Sequence, residues 1–126
     1  MSSAANILII EDNKDNRDLL DYLLRVHGYE PRLAEGGLQG IAMAQADPPD
    51  LILLDIHMPG FNGFEVFAAL GELTHTRIVA VTASAMASDR KRIVAAGFHG
   101  YIQKPIDVEL FIDEIENYLP DRVIGT

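Results

Sequence analysis

The sequence predicts an α/β fold in which helices cover both faces of a doubly wound parallel sheet. Short apolar runs alternate with segments of helical periodicity, which is the pattern of successive βα units. The runs at 7–10, 51–54 and 78–81 are apolar throughout, as expected of strands that are buried on both faces. Right-handed crossovers between parallel strands then place helices on both sides of the sheet.

The first two βα units begin with the apolar run at 7–10. Asn13 is suited to cap the first helix, which is predicted to end near Gly28. A weak strand at 31–34 starts with Pro31, which lacks an N–H donor and therefore indicates the edge of the sheet. A second helix follows and ends before two prolines. The apolar residues that mark these helices are Leu19, Leu20, Leu23 and Leu24 in the first, and Leu38, Ile41 and Ala42 in the second.

The third and fourth units begin at the other two apolar runs, and the fourth helix is predicted from about residue 85 to Gly97. A short fifth strand at 100–103 precedes Asp107, which is suited to cap the last helix. The apolar residues that mark the third and last helices are Phe64, Phe67 and Leu70, and then Val108, Phe111, Ile112, Ile115 and Leu119 on one helix face.

Composition limits the classes of function. The 126 residues are 48% hydrophobic, which fits one domain, with a core at about 6–119 and a short tail at 120–126. The absence of cysteine excludes disulfides and thiolate chemistry, and no apolar run is long enough to span a bilayer. A net charge of -9 argues against direct binding to nucleic acid or anionic membranes. We expect a cytoplasmic protein that is a monomer or a weak dimer.

Charged and polar residues follow the predicted strands at their carboxyl ends, where doubly wound sheets place their functional groups. Glu11 and Asp12 follow the first strand, Asp55 the third, Thr82 ends the fourth and Lys104 follows the fifth. If the first and third strands are neighbours, the three carboxylates share one crevice and need a cation or raised pKa values. Mg²⁺ prefers such oxygen ligands, and Mn²⁺ is a possible substitute.

A cation, an ammonium group and a hydroxyl around one carboxylate suit a phosphoryl group, because they neutralise its charge and donate to its oxygens. The carboxylate of Asp55 is then a candidate nucleophile that forms an aspartyl-phosphate. Alone, Asp55 is equally compatible with a cap for the loop after its strand.

Four segments together resemble the response-regulator receiver domain: IIEDN, LLDIHMPGFNG, AVTA and YIQKP. The resemblance extends over about 6–119, and its most specific part is the D-x-x-M-P-x-x-x-G pattern from Asp55 to Gly63. It implies the flavodoxin-like (βα)5 sandwich, with a five-stranded parallel sheet in the order 2-1-3-4-5. It also implies a single-domain response regulator of CheY-like or DivK-like layout, a signalling protein of two-component or phosphorelay systems that does not turn over substrate as an enzyme.

The resemblance implies a role for each acidic residue. Asp55 would accept the phosphoryl group from a phosphohistidine on a histidine kinase or a histidine phosphotransfer protein. Asp12 would bind Mg²⁺ directly and Glu11 through water, while the backbone carbonyl of His57 would be a further ligand. The side chain of His57, together with Ser84, is a candidate for tuning the lifetime of the phosphoaspartate, although an exposed loop histidine is an equal alternative.

The resemblance also implies a switch. Thr82 would hydrogen-bond the phosphoryl group, and Lys104 would pair with it and precede a cis bond to Pro105. Tyr101 lies where receivers carry a switch aromatic, although packing in the core would also explain an aromatic there. Phosphorylation would then change the face formed by the fourth helix, fifth strand and last helix, which a downstream protein partner would bind.

Other functions remain open at this point. A flavodoxin-like FMN binder needs a hydroxyl- or glycine-rich phosphate loop, whereas residues 11–16 are acidic. An aspartyl phosphohydrolase of the haloacid dehalogenase type needs a second aspartate where His57 stands. A degenerate receiver that binds partners without phosphorylation, and a receiver cut from a hybrid histidine kinase, both remain compatible with the sequence.

Overall fold

The computed structural model describes residues 5–83 and 86–119, and within these ranges it has five strands and five helices. The strands are β1 (Ile7–Ile10), β2 (Arg32–Ala34), β3 (Leu51–Asp55), β4 (Arg77–Thr82) and β5 (Gly100–Gln103). The helices are α1 (Lys14–Val26), α2 (Gly37–Ala46), α3 (Gly63–Ala69), α4 (Ala87–Ala96) and α5 (Phe111–Glu116). All neighbouring strands are parallel in the order β2-β1-β3-β4-β5, which confirms the predicted topology.

Alternate residues of the strands form two hydrophobic cores, one on each face of the sheet. Residues such as Leu8, Ile52 and Ala80 pack against α2, α3 and α4. Their strand neighbours, such as Ile9 and Leu53, pack against α1 and α5. Every residue of β1 and β3 is buried, so the apolar runs correctly predicted strands that are covered on both faces.

Local signals set most of the element boundaries. The Asn13 side chain accepts a hydrogen bond from the backbone N–H of Asn16 and begins α1, as predicted. Gly97 ends α4 with φ of 103°, a left-handed conformation that favours glycine. Pro31 lies directly before β2, a three-residue strand at the edge of the sheet, and Pro105 follows β5 at the opposite edge.

The predicted start of the last helix is wrong. Asp107 accepts hydrogen bonds from the backbone N–H groups of Glu109 and Leu110, but these stabilise a turn, and α5 begins only at Phe111. Val108 lies in that turn and is largely exposed rather than on the buried helix face. The second helix is confirmed as α2, in which Leu38 is exposed while Gly37, Gly40 and Ala44 are buried.

The helices within the described residues are too short or too polar for a bilayer. None of them is both long enough and apolar enough to cross a membrane.

Candidate functional site

Three carboxylates meet at the carboxyl ends of β1 and β3. Glu11 and Asp12 follow β1 directly, Asp55 is the last residue of β3, and one oxygen from each lies within 4.8 Å of the others. Asp12 is exposed, whereas Glu11 and Asp55 retain only 1% and 4% of their accessible surface. The pairing of β1 with β3 therefore brings together the acidic residues that the sequence predicted to be neighbours.

Lys104 reaches this cluster from the end of β5. Its Nζ lies 3.1 Å from Oε1 of Glu11 and 3.6 Å from Oδ1 of Asp55. Its backbone N–H donates to the carbonyl of Thr82 at 2.7 Å, which ties the residue to the end of β4. The Lys104-Pro105 peptide bond is cis, as the sequence resemblance implied.

Glu11 is the most perturbed acid of the cluster. Burial raises its pKa from the ordinary 4.5 to about 7, and the neighbouring carboxyl group of Asp55 adds to the effect. The backbone N–H of Asn13 and the ammonium of Lys104 act in the opposite direction and offset only part of it. Burial thus favours the protonated form of Glu11, and a hard divalent cation would fit the oxygen donors of this cluster.

The loop between β3 and α3 shapes the surroundings of Asp55. The backbone N–H of His57 donates to Oδ1 of Asp55 at 3.2 Å, and that of Gly63 donates to the carbonyl of Ile56 at 3.0 Å. A methyl group on Gly63 would lie 2.7 Å from the Cα of Ile56 and 2.9 Å from the carbonyl oxygen of Asp55. This close approach explains the glycine of the D-x-x-M-P-x-x-x-G pattern.

The side chain of His57 is exposed and borders an open cavity of about 330 Å³, which Met58, Phe64 and Arg92 also line. Ser84, which was predicted together with His57 to tune the lifetime of the phosphoaspartate, lies outside the described residues.

Thr82 and Tyr101 occupy a different face of the sheet from the two buried acids. In β4, the side chains of Ala80 and Thr82 point to one face of the sheet and those of Val79 and Val81 to the other. Thr82 is buried at the end of the strand. Tyr101 is paired with Ala80 and packs partly buried against the core beneath α2, α3 and α4. Asp55 follows the opposite alternation, on the α1 and α5 side.

Arg17 is a residue of the site that the sequence analysis missed. One of its guanidinium nitrogens donates to the carbonyl of Glu11 at 2.9 Å and approaches that of Asp12 at 3.5 Å. Arg17 lies one helical turn after the capping residue Asn13, but this spacing alone does not indicate which backbone carbonyls its guanidinium contacts.

Comparisons with known proteins agree with this geometry. The sequence model of the response regulator receiver domain matches residues 7–116. The polar-differentiation response regulator DivK of Brucella anthropi is 42% identical over 119 residues, which cover 92% of this chain and 97% of that protein. DivK of Brucella ovis matches with the same identity and coverage.

Solved structures show the same fold. The chemotaxis protein CheY4 of Vibrio cholerae superimposes with a TM-score of 0.85 at 27% identity and covers 93% of this chain and 100% of its own. A CheY-like receiver domain protein from Methanospirillum hungatei gives a TM-score of 0.83, also at 27% identity, over 91% of this chain and 93% of its own.

Proposed function

The chain belongs to the response regulator receiver domain family, whose members are signalling modules of two-component systems, and we propose that Asp55 is its phosphoacceptor. One observation carries the proposal: the buried carboxylate of Asp55 clusters with two further acids, and the ammonium of Lys104 lies 3.6 Å from it. The proposed receiver core extends over about 6–119, and the proposed compartment is the cytoplasm.

The proposed reaction is transfer of a phosphoryl group from a phosphohistidine of a histidine kinase or a histidine phosphotransfer protein. A carboxylate oxygen of Asp55 forms a bond to phosphorus while the phosphorus–nitrogen bond breaks and its electron pair returns to the imidazole. Lys104, whose Nζ lies 3.6 Å from Oδ1 of Asp55, is proposed to neutralise charge that develops on the phosphoryl oxygens. Thr82, at the end of the neighbouring strand, is the proposed donor of a hydroxyl hydrogen bond to one of them.

Mg²⁺ is the proposed cofactor, with Mn²⁺ as a substitute. The carboxylates of Asp12 and Asp55 and the backbone carbonyl of His57 would hold it, and Glu11 would contribute through water. When bound, the ion supplies positive charge for the phosphoryl oxygens. Oxygen atoms of three carboxylates within 4.8 Å of one another support this proposal, and a bound cation would offset the burial that raises the pKa of Glu11.

The proposed output is a change at the face formed by α4, β5 and α5, where a downstream protein partner binds. Thr82 and Tyr101 share one face of the sheet, so a movement of Thr82 towards the phosphoryl group would alter the space available to Tyr101. Tyr101 also borders an apolar groove of about 430 Å³, whose other lining residues are Ala87, Arg90, Lys91, Val94 and Ala95. Movement of this side chain would change the shape of the groove.

The lifetime of the phosphoaspartate is proposed to depend on the residues that flank its opening. The exposed side chain of His57 extends from the loop whose backbone contacts Asp55, which supports a role in water access. Ser84 stays a candidate from the sequence alone.

The decisive experiment is incubation with a small-molecule phosphodonor and Mg²⁺, followed by intact-mass measurement, with Asp55→Asn in parallel. We expect one phosphoryl adduct on the wild type and none on the variant, because the amide keeps the shape of the side chain but is not a nucleophile. Circular dichroism of Asp55→Asn controls for folding. An adduct on the folded variant would contradict the assignment. A wild type that reacts with neither this donor nor a phosphorylated histidine protein would favour a degenerate receiver.

A further inference from the structure

Arg17 is largely buried against the backbone that carries two of the acids. It lies in the first turn of α1, and its side chain retains 11% of its accessible surface. Its Nη1 donates to the carbonyl of Glu11 at 2.9 Å and approaches the carbonyl of Asp12 at 3.5 Å. Its Nη2 lies 4.0 Å from a carboxylate oxygen of Glu35 in the β2–α2 loop. The guanidinium therefore contacts the backbone of both acids rather than their carboxylates.

We propose that Arg17 is a positioning residue for cation binding, which holds the peptide groups of Glu11 and Asp12 so that their carboxylates meet Asp55. This inference depends on the metal site of the proposed function and adds a residue outside the acidic cluster that determines its Mg²⁺ affinity.

The need for such a residue follows from the end of β1. Within the sheet, ladder hydrogen bonds fix the peptide planes, and the last of these on this side joins the N–H of Glu11 to the carbonyl of Ala34. Beyond it, the two carbonyls of the acidic pair leave the strand. The two peptide groups that flank a residue determine the direction of its Cα–Cβ bond. A rigid guanidinium that contacts both carbonyls therefore orients both carboxylates.

Charge and positioning predict opposite changes in Mg²⁺ affinity when Arg17 is removed. Arg17 is a cation close to a site for a second cation, so removing it would strengthen Mg²⁺ binding if only Coulomb forces mattered. Positioning predicts weaker binding, because the carboxylates would lose their fixed starting directions. The sign of the change therefore distinguishes the two mechanisms.

The experiment is a direct measurement of Mg²⁺ affinity by titration calorimetry, repeated with Mn²⁺ counted by electron paramagnetic resonance. Arg17→Met removes the donors and the charge, and Arg17→Lys keeps the charge with a single ammonium. Arg25→Met is the matched control, because Arg25 lies in the same helix, is 53% exposed and pairs only at the surface with Asp21 in the described contacts. Both Met variants change the net charge from -9 to -10.

We expect Arg17→Met to raise the Mg²⁺ dissociation constant about tenfold, the size of effect typical of residues that orient metal ligands. Arg17→Lys should give an intermediate value, and Arg25→Met should leave the constant unchanged or slightly lower. Wild-type or tighter binding by folded Arg17→Met would overturn the proposal. If Arg17→Met does not fold, the Arg17→Lys variant decides, since wild-type affinity there would equally overturn it.

Failure of the proposed function gives a different pattern. In that case the wild type would show no saturable binding of Mg²⁺, or its binding would persist in Asp12→Asn. Saturable binding that requires Asp12, together with no loss in Arg17→Met, would reject only the role of Arg17.

Discussion

Glu11 has a pKa close to that of an ordinary histidine, which makes the stability of the metal-free protein depend on pH. Between pH 4.5 and about 7 the folded state keeps the Glu11 proton, while the unfolded chain releases it. The folded state then binds more protons than the unfolded state, so the free energy of unfolding decreases as pH rises through this window. Mg²⁺ would reverse the trend, because it favours the ionised carboxylate.

We therefore expect the free energy of unfolding in EDTA to fall between pH 5 and pH 7.5, by at most about 3 kcal/mol from this group. Glu11→Gln removes the titrating group and should flatten the profile over the same range. Urea unfolding of both proteins at several pH values measures the difference, which cancels the contribution of titrating residues that do not interact with Glu11. Parallel profiles for wild type and Glu11→Gln would contradict this origin of the pH dependence.

At the scale of elements, the turn from β3 into α3 leaves no space for a side chain at Gly63. A capping box formed by Asn62 and Glu65 begins α3. Gly63, the first residue of the helix, packs directly against the backbone of Ile56. A β-carbon at Gly63 would meet backbone atoms, which cannot move aside as a flexible side chain does. The position of the helix therefore limits the position of the acceptor.

Gly63→Ala should destabilise the protein by about 1–3 kcal/mol, as overpacking typically does, and slow phosphorylation of Asp55 by displacing its loop. Gly71→Ala is the control, because a β-carbon there would make only an ordinary 3.5 Å contact with the carbonyl of Ala68. Thermal unfolding and the rate of phosphoryl adduct formation measure the two effects. Equal stability and rate in the two variants would disprove the steric explanation.

The sequence predicted elements well where one local signal decided the structure. Buried strands, the Asn13 cap and the Gly97 terminus each depend on a few neighbouring residues, and each was confirmed. The start of α5 was predicted wrongly, because apolar spacing does not distinguish a turn after Asp107 from the first turn of a helix. Arg17 was missed because its proposed role depends on which carbonyls lie beside it after folding, and residue spacing does not give that.

In the molecule as a whole, the proposed phosphoacceptor Asp55 and the proposed switch residues follow opposite alternations of one sheet. Glu11 and Asp55 follow the alternation of the core under α1 and α5, whereas Thr82 and Tyr101 face α2, α3 and α4. Lys104 connects the two sides, since its side chain contacts both acids and its backbone is bonded to Thr82. The proposed signal from Asp55 to Tyr101 would therefore involve the carboxyl ends of β4 and β5, where Lys104 contacts Asp55 and Thr82.

Lys104→Ala should preserve Mg²⁺ binding while uncoupling phosphorylation from the groove between α4 and β5, because the side chain that contacts the acceptor is lost. Amide chemical shifts of Val94, Ala95 and Tyr101, recorded before and after addition of the phosphodonor, measure this coupling. The adduct is quantified in the same samples, so that poor phosphorylation is not mistaken for uncoupling. Shifts as large as those of the wild type, at equal phosphorylation, would contradict the role of Lys104.

The two edge strands of the sheet, β2 and β5, also restrict how another protein can bind to this one. β2 has three residues after Pro31, and β5 has four residues before Lys104-Pro105. Such short edges next to residues without an N–H donor are poor templates for β-augmentation by an incoming peptide. Recognition by main-chain ladders is thereby disfavoured at both ends. A kinase and a downstream partner would therefore bind through the side chains of helices and loops. These parts of the surface can change in evolution without disturbing the buried strands.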